Sequence, residues 1–141
     1  MDKHTLMSYR DKQAAINNLK DRIDEITAIL KRVTPVPLDT AIISHGKSGD
    51  KMAGLIAELV DTKEKLCKQV KAAEEQAAQI EGFIESIENP NHRKAMRLYF
   101  MGCLTMEEVA RKCNYSDRKV IGKIIRAEIK RDRQITTNNV I

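Results

Sequence analysis

Ser116, Asp117, Arg118, Lys119 and Gly122 crowd into one short stretch, and their side chains form a set that can read the edges of base pairs. Arginine and lysine donate to guanine O6 and N7, a carboxylate accepts from the cytosine amino group, serine does either, and glycine lets a backbone come close. Lys123, Arg126 and Lys130 follow at helical spacing, with Arg93, Lys94, Arg97, Arg111 and Lys112 upstream. These eight suit phosphate oxygens, which set affinity and register but carry no sequence information.

Other chemistries lack their residues. Cys67, Cys103 and Cys113 form no Cys-x-x-Cys pair, so neither a disulfide framework nor a zinc site is implied. Cys67 and Cys113 fall at or beside apolar helix positions and read as small buried or half-buried hydrophobes. His4, His45 and His92 stand far apart, without acidic or thiol neighbours at ligand spacing, and read as surface residues. There is no clustered carboxylate pair, no nucleophile beside a base and no phosphate loop. The reading is therefore a protein that is not an enzyme and takes no cofactor or metal.

Charge is unevenly divided. Residues 90–133 hold 12 basic and 5 acidic side chains, and residues 1–89 hold 13 and 15. The surplus of positive charge sits in the segment that carries the base-reading set, as a phosphate-binding surface requires.

Those side chains need an element to present them. Thr105 followed by Glu108 makes a capping box for one helix, and Ser116 is placed to cap the next. Between them Ala110 is small enough for close helix approach, and Asn114 tolerates the left-handed conformation of a tight turn. Val120 anchors the second helix, with Ile121, Ile124 and Ile125 completing its inward stripe. The spacing predicts a helix-turn-helix whose recognition helix, residues 116–130, enters the major groove of double-stranded DNA while the first helix bridges the backbone.

The rest of the chain reads as scaffold. Ile16, Leu19, Ile23, Ile26 and Leu30 alternate at three and four residues, a heptad seam extended backwards by Leu6, Tyr9 and Gln13. It predicts a helix over about residues 2–31. A loop over 32–50 follows, marked by Pro35, Pro37, Gly46, Ser48 and Gly49. A second seam runs through Met52, Ile56, Leu59, Leu66, Val70, Ala73, Ala77, Ile80, Ile84 and Ile87, interrupted at Lys63. A helix over 50–88 would extend about 58 Å, which is too long to stand without partners. The first helix folded back on it makes a long antiparallel coiled-coil hairpin, residues 1–89. The distal half of the second helix is left to pair with a second copy, giving a homo-oligomer and a dimer first of all, or with the DNA-binding domain in an intrachain bundle. Asn89 and Pro90 restart the chain as a helix carrying Met96, Tyr99 and Phe100 on one side and closed by Gly102. The expected architecture is thus all-α: the hairpin, a helix-turn-helix domain over 90–133, and a flexible tail over 134–141. With two Phe, three Tyr and no Trp in 141 residues, narrow helical seams suit the composition better than a wide globular core. No apolar run could cross a bilayer and the first residues lack a signal-peptide core, so no membrane partner is expected and the cytoplasm is the expected compartment.

The run 104–130, with Ser116-Asp117-Arg118-Lys119-Val120 followed by Ile124 and Arg126-Ala127, resembles the helix-turn-helix of region 4 in bacterial sigma factors. The whole chain, including Ser44-His45-Gly46-Lys47-Ser48-Gly49-Asp50-Lys51-Met52 ahead of the second seam, is similar to small regulators encoded by phages and prophages of Gram-positive bacteria. Among these are late-gene transcriptional activators of the ArpU and RinA type. The resemblance covers most of the chain, and its specific part is the last third. It implies a sequence-specific DNA-binding regulator of phage late or packaging genes, working in the cytoplasm of the bacterial host cell. Asn114 stands where the turn glycine is usual, and Ile121, Gly122 and Lys123 depart from the sigma-factor pattern, so no promoter sequence carries over. Two other readings share these features: an adaptor that touches RNA polymerase or another protein through the sigma-like domain, and a small-terminase-like protein that recognises DNA for packaging.

Overall fold

A computed structural model describes residues 1–33 and 47–139. Among them every regular element is helical and none is a strand, so the chain is all-α. The helices are α1 (Lys3–Val33), α2 (Lys47–Glu85), α3 (Pro90–Met96), α4 (Met106–Lys112) and α5 (Lys119–Asn139), and α3 passes directly into a π-helical turn, Arg97–Met101. Most of the expected 32–50 loop, with Pro35, Pro37, His45 and Gly46, lies outside the described residues. Both its ends are corrected: residues 32 and 33 still belong to α1, and residues 47–50 already belong to α2. Serine and glycine are tolerated there because a first turn leaves its amides unpaired in any case.

The helices pack as two units that do not divide at 89/90. One joins Met1–Ala14 with Ala72–Ile141, and the other is Ala15–Lys71.

In the second unit Ile16 and Ile26 of α1 are buried, and Leu19, Ile23, Leu59, Leu66 and Val70 are half-buried. Arg22 makes a two-point contact with Glu58, Nε to Oε1 at 2.7 Å and a terminal nitrogen to Oε2 at 3.0 Å, and a third bond at 3.0 Å to Glu25. Those hydrogen bonds hold the Glu58 carboxyl below its usual range. The seam of α2 differs from expectation at two points. Ile56 is 48% exposed, while Leu55 is half-buried. The gap assigned to Lys63 is closed by Thr62, which is buried and donates its hydroxyl to Glu58 O at 2.6 Å. A threonine that satisfies its own oxygen within the helix can occupy an apolar seam. Cys67, expected to be at least half-buried, is exposed.

The first unit carries the larger core. Phe100, Leu6, Ile80, Ile84, Ile87, Met96, Val109 and Ile121 are fully buried, each such aliphatic or aromatic side chain contributing about 1.5–3 kcal/mol. The Phe100 and Tyr99 rings meet edge to face, 4.9 Å apart. Residues 1–14 are tied in by polar contacts. Arg10 donates to Tyr99 O at 3.1 Å and Leu104 O at 3.2 Å while lying 4.4 Å over the Tyr99 ring. The Cys103 thiol bonds Arg10 O at 3.5 Å, Lys12 reaches Gln76, and the Met1 amino group pairs with Asp132.

Two joints fix how α2, α3 and α4 meet. Asn89 caps α3 through its side-chain oxygen, bonded by Asn91 N at 2.9 Å and His92 N at 3.4 Å, with Pro90 at the first position, as expected. The other end is not closed by a left-handed glycine. Gly102 keeps φ −87°, and Cys103 takes the left-handed conformation, φ 57°. The extra residue of the π turn moves the reversal one position along, with Leu104 N bonded to Leu98 O at 3.2 Å. Glycine is still required at 102, because a Cβ there would stand 2.7 Å from Leu98 O.

Candidate nucleic-acid interface

Thr105 caps α4: its hydroxyl accepts from Glu108 N at 3.2 Å and lies 3.2 Å from Glu108 Oε1. The helix buries Val109 and Ala110. It ends in a Schellman arrangement, with Tyr115 N on Ala110 O at 2.8 Å and Asn114 N on Arg111 O at 3.3 Å. Asn114 is the left-handed residue, φ 62°. The small Ala110, the Asn114 turn and the Thr105 cap are therefore where the spacing expects them.

The second helix begins later than expected. α5 starts at Lys119, and its cap is Asp117, whose Oδ1 accepts from Lys119 N at 3.1 Å, in place of Ser116. A carboxylate is the stronger acceptor at a helix N-terminus because the dipole favours negative charge there. Ser116 is exposed ahead of it. Ile121, Ile124 and Ile125 are buried and Val120 is half-buried, so the deepest anchor is Ile121. The far end is also corrected. Residues 134–139, expected to be a flexible tail, continue the helix. No breaker interrupts them, and the Thr136 and Thr137 hydroxyls donate to Asp132 O at 2.9 Å and Arg133 O at 2.8 Å.

Between the start of α4 and the first turns of α5 lies an open cleft of about 660 Å³, lined by Thr105, Met106, Glu107, Arg118, Lys119, Gly122, Lys123 and Arg126. Five of the thirteen sequence-selected residues thus meet at one site. Ser116 and Asp117 stand outside the lining, next to it in the chain. Glu107 was not singled out by sequence; it pairs with Arg118 at 3.2 Å, both side chains being exposed. A surface pair of that kind is worth less than about 1 kcal/mol and releases readily to a phosphate or a base edge. Gly122 is half-buried, and a Cβ there would meet only the Arg126 guanidinium, at 3.6 Å.

The phosphate candidates divide in two. Arg93 is half-buried and donates to Ile87 O at 3.2 Å and Glu88 O at 3.5 Å, closing the end of α2. Lys94 donates to Lys112 O at 3.2 Å, and Arg97 pairs with Glu85 at 2.5 Å. These three hold α2, α3 and α4 together. Arg111, Lys112, Lys123, Arg126 and Lys130 are exposed.

α3 and α5 share a polar cluster. Glu128 is buried and accepts from Arg131 Nε at 2.7 Å, with His92 Nδ1 at 2.8 Å, and Arg131 also reaches the Ser86 hydroxyl at 3.4 Å. Burial pushes the Glu128 carboxyl up, but the His92 and Arg131 hydrogen bonds outweigh it and leave the group below its usual range. His92 is thus a half-buried structural partner, contrary to the expected surface role. Its partner lies 36 residues away, beyond any local pattern.

Among the described residues no group of three or more His, Cys, Asp or Glu could hold a metal ion, and no helix is long and apolar enough to cross a membrane. Comparison of the chain with family models, curated proteins and solved structures finds no match.

Proposed function

We propose that this chain is a sequence-specific DNA-binding transcriptional regulator, with the start of α5 read into the major groove and α4 across the backbone. One observation carries the reading: Arg118, Lys119, Lys123 and Arg126 line a single open cleft, mounted on a buried apolar joint between two capped helices. Such an array of donors suits the acceptor edges of guanine and the flanking phosphates. The resemblance to phage and prophage regulators supplies the biological setting, a late or packaging operon in the cytoplasm of a bacterial host. The proposal assigns the chain no catalysis and no cofactor.

Self-association belongs to the same proposal. On α2, Ile56 and Val60 stand 48% and 52% exposed, beside Lys63 and Glu64. Those adjacent opposite charges answer one another when two copies of the helix lie antiparallel. A dimer would present two recognition helices, and its mass in solution is the measurement that checks it.

Replacing Arg118 and Lys119 together by glutamine tests the central reading. Because both are exposed, the fold should survive by circular dichroism, and selected genomic fragments should be lost, at about 1–3 kcal/mol per base contact removed. A protein-binding adaptor is the second reading, favoured by Met106 and Glu107 in the same cleft. Undiminished binding of the double variant to DNA, or no binding by the wild type, would turn the argument to RNA polymerase or another protein.

A further inference from the structure

The continuation of α5 to Asn139 exposes a pattern beyond the cleft. Lys119, Lys123, Arg126, Lys130 and Arg133 follow one another at four, three, four and three residues, which sets all five on one strip of the helix. All five are exposed. The acidic residues of α5 are Glu128 and Asp132, and neither lies on the strip: Glu128 is buried against His92 and Arg131, and Asp132 takes the Met1 amino group. The acid that Arg133 approaches is Asp2, at 3.8 Å, with both side chains largely exposed. A second open hollow, lined by Lys130, Arg133, Gln134, Thr137 and Asn138, continues the polar surface past the cleft.

From 119 to 133 the strip runs about 21 Å at ~1.5 Å per residue. The major groove is about 12 Å wide. A recognition helix docked by its first turns gains nothing from cations at its fourth. We propose that α5 lies lengthwise in the major groove of duplex DNA, with the strip facing it from Lys119 to Arg133 over roughly six base pairs at ~3.4 Å each. This rests on the DNA-binding reading and adds to it the docking direction and Arg133 as a phosphate contact. Lys119 and Lys123 meet the groove near the tip, and Lys130 and Arg133 bind phosphates at its other end.

The test uses the full chain and a mixed-sequence DNA duplex of about 30 base pairs, three helical turns, with affinity followed by fluorescence anisotropy across a potassium chloride series. Each lost phosphate contact lowers the steepness of log affinity against log salt by about 0.9, so Lys130→Gln with Arg133→Gln should make it shallower by about 1.8. Lys20→Gln with Lys68→Gln, which removes the same charge from exposed sites in the other unit, should leave the slope unchanged. A wild-type slope in the Lys130/Arg133 variant, with binding weakened by Arg118→Gln and Lys119→Gln, would sink lengthwise docking while sparing the DNA reading. An equal change in the Lys20/Lys68 control would reduce the effect to net charge and overturn the inference. Equal affinity for duplex RNA would overturn it too, since the deep, narrow A-form groove does not admit a helix. Absence of any binding by the wild type would remove both this inference and the reading beneath it.

Discussion

Asn114 carries the α4–α5 joint on a single backbone angle, φ 62°. A β-branched residue meets its own carbonyl there, so Asn114→Val should lose about 1–2 kcal/mol in chemical denaturation, while Asn114→Gly stays close to wild type. Glu128 gives a second prediction, in pH. Its folded-state pKa is depressed, so it contributes stability above the ordinary glutamate range of about 4.3, and that contribution is lost as pH falls through the lower folded value. Melting of the wild type should therefore fall toward that of Glu128→Gln as pH is taken down through the carboxylate range; a constant gap would speak against the His92–Glu128–Arg131 cluster. Asn114 was legible because few residue types accept a left-handed backbone. Cys103 was not: cysteine has no such preference, and only the π turn before it, which no spacing announces, rotates the reversal off Gly102.

At the scale of elements, capping decides where α5 begins. Asp117→Ala should lose about 0.5–2 kcal/mol as a cap removed; Ser116→Ala should stay within about 0.5 kcal/mol, as an exposed change does. Thermal melts of the two variants distinguish the carboxylate from the hydroxyl. Helical periodicity made α1, α2 and the α4–α5 pair readable, because one apolar face must be buried in each. Its phase differs at two points, where Leu55 and Thr62 take the seam in place of Ile56 and Lys63. The end of α5 escaped for a related reason: apolar periodicity stops at Ile129, yet a helix continues until something breaks it. The cleft was half legible. Arg118, Lys119, Gly122, Lys123 and Arg126 could be picked from their positions on one helix, whereas Thr105, Met106 and Glu107 reach it from another.

For the molecule as a whole, the division at residues 14/15 and 71/72 matters more than the 89/90 boundary that the helix restart suggested. Arg10 is one of the residues that tie 1–14 into the unit with α3, α4 and α5. Its acceptors, Tyr99 O and Leu104 O, lie 89 and 94 residues away, and a side chain that bonds distant carbonyls leaves no periodic trace. Arg10→Ala should lose about 1.5–3 kcal/mol, as for hydrogen bonds to a charged group. Hydrogen exchange should quicken at the amides of α3 and α4, and an unchanged exchange pattern there would count against the tether.

That tether has a consequence for biosynthesis. Leu6 and Tyr9 are translated before Ala72–Ile141, the rest of the unit in which they are buried, and that stretch follows on the order of ten seconds later at ~5–20 residues per second. The nascent chain must carry those side chains bare through the interval, which makes α1 a natural client for a holding chaperone.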